Sequence, residues 1–322
     1  MNHARRRLLA ALALPLLPAA SNAAARQQRV VLFLDIEPAF AERARQFVQG
    51  SLASQGLREV QVEVVNLWRR GADVERMADE VVAGRPDVVV VNGSRDALLF
   101  KQRTRDIPVI FRAVGDPVRV GLVETLAHPG GNFTGQSNAS FTLDGKRVEI
   151  LKALAPRITR VTLVGIDTPT LPLTRSAISA AAAKLGLAYD ELTFPASLED
   201  AAVVEKRILA ARPESVVVQF LDSASLNMAH FLATLQAHDI PAIYGNERIV
   251  RAGGLASLGQ VMDDFDSGQM RTLARILRGE KPAGIPVTLI TQTHLALNAR
   301  TARAMGIAIP DALRLQVNEL VE

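Results

Sequence analysis

The chain has 322 residues, room for about two domains of ordinary size. Hydrophobic residues make up 48% and charged residues 22%, which is globular usage and excludes a disordered or fibrous chain. With no cysteine, thiol catalysis, Cys-ligated zinc, iron–sulfur clusters, disulfides and a lipid-modified N-terminal cysteine are all excluded, and the formal charge of +4 looks mildly basic.

The charge has a local origin. Arg5, Arg6 and Arg7 precede an apolar run, Leu8 to Leu17, too short to span a bilayer, and small residues follow at Ser21 to Ala25. This is the pattern of an export signal over residues 1–25, cleaved between about Ala23 and Arg26. Removing it takes away three arginines and no acid, leaving 34 basic against 33 acidic residues. A basic nucleic-acid-binding surface is therefore not expected. The expected location of the mature chain is the periplasm.

The mature chain repeats one pattern. Val30 to Leu34 is a short apolar run, followed by a helical stretch from Pro38 to about Gln55 with Phe40, Ala44, Phe47, Val48 and Leu52 on one face. Val60 to Val65 alternates as a strand, and Val74 to Ala83 is helical. Val88 to Val91 is a continuous β-branched run, as in a strand buried on both faces. A helix through about Arg103 and a strand from Ile107 to Phe111 complete β-α-β-α-β, which predicts a parallel sheet with helices on both faces. A Gly/Asn-rich joint, Gly130 to Gly135, separates this from a second series. That series has helices over 143–154, 177–185, 199–211 and 226–237, and strands over 161–166, 215–220 and 241–244.

The prediction is an α/β protein of two doubly wound parallel-sheet lobes joined by a three-segment hinge. The hinge segments are expected near Ser137–Asn138, Gly254–Gly259 and Ile285–Gln292. Lobe 1 is then 26–138 plus 259–288, and lobe 2 is 139–258 plus 289–322. Ligands of open α/β sheets sit beyond the carboxyl ends of the strands, here between the lobes.

Catalytic motifs are missing. The five histidines form no metal-spaced pair, and there is no Gly-x-Ser-x-Gly elbow and no Walker loop. Gly130-Gly131-x-x-x-Gly135 lacks dinucleotide spacing and reads as a loop. Trp68, the only tryptophan, reads as partly buried packing. No catalytic residue, metal or cofactor is expected, and the chain is not predicted to be an enzyme.

Five strand ends carry small polar or acidic groups: Asp35-Ile36-Glu37, Asn92-Gly93-Ser94, Gly115-Asp116-Pro117, Asp167-Thr168 and Asp222-Ser223. Hydroxyls and helix N-termini favour an anion, and a buried carboxylate favours a cation, so together they suit a small zwitterion. Each residue taken singly also reads as a helix N-cap. For Asp222, gripping a ligand ammonium and capping a helix from about Leu226 stand as equal alternatives.

Several blocks resemble one known family in order. They are Val109-Ile110-Phe111-x-x-Val114-Gly115-Asp116-Pro117-Val118, Pro129-Gly130-Gly131-Asn132-x-Thr134-Gly135, Lys146-Arg147-x-Glu149-x-Leu151, Pro241-Ala242-Ile243-Tyr244-Gly245, Ala252 to Gly259, and Ile276-Leu277-x-Gly279-Glu280-Lys281-Pro282-Ala283. This is similar to the substrate-binding proteins of ABC transporters, in the branch that includes tryptophan- and tyrosine-binding components. The resemblance covers about residues 29–322.

It implies a type I periplasmic binding fold, a small-molecule ligand closed between the lobes, and a membrane permease with its ATPase as partner. It implies ligand-binding roles for Ser94, Asp116, Ser137, Asn138, Asp222, Asn246 and Glu247. Two places depart from the pattern: Glu37 stands where many relatives have His, and Asp167-Thr168-Pro169-Thr170 replaces an Asn-Pro-rich turn. Glu37 and Thr168 are included in the candidate site for that reason. The expected function is a solute receptor for an importer, working as a monomer on a small polar molecule such as an amino acid or a derivative. The alternative is a sensing module that docks a membrane receptor. A transcription regulator is excluded, because the export signal stands where a helix-turn-helix would be.

Overall fold

The structure is a computed structural model that describes residues 27–68, 73–195, 201–219, 228–261 and 267–322. The expected export signal therefore lies outside the described residues, as does Asp222.

The first sheet collects β1 (Arg29–Leu34), β2 (Gln61–Asn66), β3 (Val88–Asn92), β4 (Val109–Val114), β5 (Phe133–Ser137) and β11 (Thr288–Leu289) in the order β11-β5-β4-β3-β1-β2. All its pairings are parallel. Successive side chains point to opposite faces of a strand. Val31, Phe33, Val89, Val91, Val109 and Phe111 thus face one core. Val30, Leu32, Leu34, Val88, Val90 and Ile110 face another. Two buried faces are why these strands read as unbroken apolar runs. Residues of α2 (Val74–Ala83) and α3 (Gly93–Arg103) cover the first face. The second is covered by α1 (Pro38–Ser54) and by α9 (Ser267–Leu277), which arrives from late in the chain.

The second sheet runs β13-β12-β10-β9-β8-β6-β7, from β6 (Arg160–Ile166), β7 (Ala188–Phe194), β8 (Val216–Val218), β9 (Ala242–Tyr244), β10 (Ala256–Gln260), β12 (Thr293–Asn298) and β13 (Glu319–Val321). It is parallel except where β12 returns antiparallel to β10. One face packs on α4 (Asp144–Leu154), α5 (Leu171–Lys184), α10 (Ala299–Ala304) and α11 (Asp311–Arg314). The other packs on α6 (Ala201–Ala211), α7 (Met228–Ala237) and α8 (Glu247–Arg251).

Three local expectations are corrected. The Gly/Asn-rich joint ends in the buried strand β5, because its small residues let it lie close to β4: a Cβ on Gly135 would stand 2.0 Å from the Phe111 carbonyl oxygen. The segment Gly254–Gly259 contains most of β10 rather than a crossing, and the chain leaves the second sheet only after Gln260. A Cβ on Gly259 would meet the Gly245 oxygen at 2.0 Å, so glycine is required by the close approach of β10 to the end of β9. Finally, β7 had no strand signal, since its acidic residues Asp190 and Glu191 sit on an edge strand open to water.

The chain passes between the sheets after β5, after β10 and after β11. Main-chain bonds tie the passages together: Ile290 N–H donates to Ser137 (2.9 Å), and Val261 N–H donates to Gln292 (2.9 Å). Each passage starts from the carboxyl end of a strand. The carboxyl ends of both sheets are therefore brought to the hinge.

Candidate functional site

On the first lobe, three strands deliver polar groups to this end. Asp35 follows β1, and Glu37 precedes α1 as an exposed N-cap residue whose side chain makes no capping bond. Ser94, half-buried, and Asp96, 8% exposed, lie in the first turn of α3. The Asp96 carboxyl makes no hydrogen bond among the described residues. Burial pushes its carboxyl up to about 7; Arg95 acts against this and Asp35 adds to it. Asp35 is itself raised by the surrounding protein, with Arg95 pulling it down. Two interacting carboxylates at the end of a parallel sheet can accept a cation, and a cation between them would relieve their repulsion. At the end of β4 the register slips between Phe111 and Val114, with Ala113 at φ 54°. Such a bulge re-aims the residues after it.

Several predicted residues are engaged in holding the backbone here. The Asp116 carboxylate accepts from Arg119 N–H (3.0 Å) and stands 3.7 Å from the Arg119 guanidinium. Ser137, fully buried, donates to the Gly115 carbonyl (3.1 Å) and accepts from Ala139 N–H (3.3 Å). Asn138 is half-buried, and its N–H donates to Val114 (3.1 Å). These three shape the loops around the first passage.

On the second lobe, Thr168 is partly buried with its hydroxyl 3.5 Å from that of Thr170. Asn246 caps α8, accepting from Arg248 N–H (2.8 Å), and Glu247 lies 3.8 Å from the Arg251 guanidinium. Trp68 is half-buried beyond β2, its N–H bonded to the Asn66 side chain (2.9 Å).

Beneath this end of the second sheet lies a polar cluster that sequence reasoning missed. Asp144, the first residue of α4, is fully buried and ion-paired with Arg147, also buried. Arg147 Nε donates to the Leu258 carbonyl (2.8 Å). Gln219, beyond β8, donates to Asp144 (3.3 Å) and to the Thr174 hydroxyl. Burial raises the Asp144 carboxyl, and Arg147 and these hydrogen bonds hold it down. The Asp-x-x-Arg spacing was a readable signal, since residues three apart share a helix face. Asp96 had a weaker one, an acid in the first turn after Asn92-Gly93-Ser94.

Among the described residues no group of three or more His, Asp and Glu side chains is placed to hold a metal ion. No helix among them is long and apolar enough to cross a membrane.

Comparison with known proteins adds the following. The family model described as ABC transporter substrate binding protein matches residues 30–321. A tyrosine-binding protein of Clostridioides difficile is 22% identical over 297 residues, covering 88% of this chain and 82% of that protein. Among solved structures, the ABC domain of Streptococcus pneumonia in complex with L-tryptophan is 25% identical with a TM-score of 0.76, over 91% of this chain and all of that one. A conserved domain protein of Vibrio cholerae is 23% identical with a TM-score of 0.75, over 92% of this chain and all of that one.

Proposed function

The chain belongs to the ABC transporter substrate-binding protein family, and from that premise we propose that it is an extracytoplasmic receptor of an importer, closing its two lobes on an amino acid. The observation that carries the ligand class is the end-to-end likeness to a structure solved with L-tryptophan. The first-lobe chemistry supports it. Asp96 and Asp35 offer a seat for an ammonium; Ser94, in the same helical turn as Asp96, is a further polar candidate. Thr168 on the second lobe is a further candidate, as is Asp222 on the sequence reading alone. The partners of this reading are a membrane permease and its ATPase, reached after removal of residues 1–25.

Calorimetric titration of the mature protein with the common L-amino acids, tryptophan and tyrosine first, tests the ligand class. Binding of at least one in the micromolar range or tighter is expected. At 100 times its dissociation constant, that ligand adds about 2.7 kcal/mol of stability. Folded protein that gives neither heat nor a thermal shift with any amino acid overturns the reading.

A further inference from the structure

The buried pair Asp144–Arg147 has no part in the ligand seat described above. Its presence needs a reason. A buried ion pair adds little net stability, because desolvating two charges offsets most of their attraction, and an apolar pair of similar volume often serves as well. What an apolar pair lacks is direction. The Arg147 guanidinium is a planar fork that fixes its partners in one geometry.

Its partners come from separate parts of the second lobe. One arm holds Asp144, where the chain lands after its first passage between the lobes. Nε holds Leu258 on β10, two residues before the strand ends and the second passage begins. The guanidinium also lies against the end of β9, 3.3 Å from where a Cβ on Gly245 would be. Through Asp144 the cluster continues to Gln219, whose own N–H is anchored to Val164 of β6 (2.8 Å), and to Thr174 in the first turn of α5. Gln219 is the last described residue before the segment that carries Asp222. One fork therefore joins the ends of three neighbouring strands (β8 through Gln219, β9 and β10), the N-termini of two helices, and the landing and departure points of two passages.

We propose that Arg147, oriented by Asp144, is a positioning residue for ligand capture: it makes the ligand-facing end of the second lobe a single rigid piece and fixes the angle at which two hinge strands leave it. The part of this that concerns affinity rests on the amino-acid reading above; the part that concerns the hinge does not.

The test uses the full mature chain. Because it has no native cysteine, Val118→Cys and Ser176→Cys, exposed positions on the two lobes, carry a spin label each. Interlobe distances are then measured without ligand. The double variant Asp144→Leu/Arg147→Met is expected to melt within about 5 °C of the parent, since the apolar pair fills the same space. Its distance distribution should nevertheless broaden clearly. Arg147→Lys, which keeps the charge without the fork, should broaden it less and serves if the double variant fails to fold. The exposed pair Lys146–Glu149, on the same helix at the same spacing, supplies the control: Lys146→Met/Glu149→Leu should leave the distribution unchanged. With L-tryptophan or L-tyrosine, whichever the parent binds, the double variant should bind at least about tenfold more weakly. A folded double variant, or a folded Arg147→Lys, with the parent's distance distribution overturns the proposal even if no amino acid binds. Broadening with unchanged affinity overturns its ligand-capture half.

Discussion

Asp96 and Asp144 occupy matching places in the two lobes. Each is a buried acid in the first turn of a helix, at the carboxyl end of a parallel sheet. Helix N-termini favour negative charge in both cases. Their surroundings differ completely. Asp144 is enclosed by Arg147, Gln219 and Thr174, so its charge is satisfied within the fold. Asp96 has a second carboxylate nearby, an exposed arginine beside it in sequence, and no hydrogen bond to its carboxyl among the described residues. The same residue type at the same position is structural in one lobe and available in the other. Availability follows from which polar groups remain without partners, not from residue type or place.

The comparison is most exposed to failure at Arg147. Arg147→Ala should leave Asp144 as an uncompensated buried charge and destabilise the protein by about 3–5 kcal/mol, measured by urea unfolding. A loss below about 1 kcal/mol would mean that Asp144 is not held as described.

Asp96→Asn should act in the opposite direction. The folded-state pKa of Asp96, about 7, lies above its ordinary value of 3.8. The folded protein thus keeps a proton that the unfolded chain releases, and stability falls as pH rises between about 4 and 7. The asparagine variant should match the parent near pH 4 and exceed it by roughly 2–4 kcal/mol at pH 8. Its affinity for the ligand should fall by at least about tenfold if the ammonium sits there. Binding to the parent at pH 7 should release a fraction of a proton, read from titration heats in buffers of different ionisation enthalpy. A variant with the parent's pH profile would place Asp96 among satisfied acids like Asp144.

The smallest effect is expected at Asn246. Since its side chain caps α8, Asn246→Ala should lose about 1 kcal/mol of stability and Asn246→Asp almost none, by thermal unfolding. If Asn246→Asp instead abolished ligand binding with stability intact, the residue would belong to the seat as well as the cap.

The two sheets were legible because strands buried on both faces leave continuous β-branched runs such as Val88–Val91. The edge strand β7 was not, because one open side admits Asp190 and Glu191 and removes the apolar signal. The second passage was misplaced by a few residues for a related reason. Gly254–Gly259 is expected as a crossing, yet Gly254 and Gly259 are small because neighbouring side chains and backbone press on them. Of the candidate site, Ser94 stands at the strand end where it was expected, while Ser137 and Asn246 were taken from the family resemblance and are occupied locally. Which acids are left over depends on contacts between distant segments, such as Arg147 with Leu258. No local window contains that information.

The return of the chain to its first lobe bears on the order of folding during synthesis. One face of the first sheet, with Val30, Leu32, Val88, Val90 and Ile110, is closed by Met270, Leu273, Ala274, Leu277 and Ile285. A nascent chain that ends before residue 267 has every central strand of that lobe but, for one side of them, only the part of the cover that α1 supplies through Val48 and Leu52. The second lobe waits as well, for β12 and β13 at its edge. Neither lobe can be completed from its own first segment, so the polypeptide stays incompletely folded until nearly all of it is made. On the extracytoplasmic reading proposed above, that delay leaves time for an unfolded precursor to be threaded through a membrane pore.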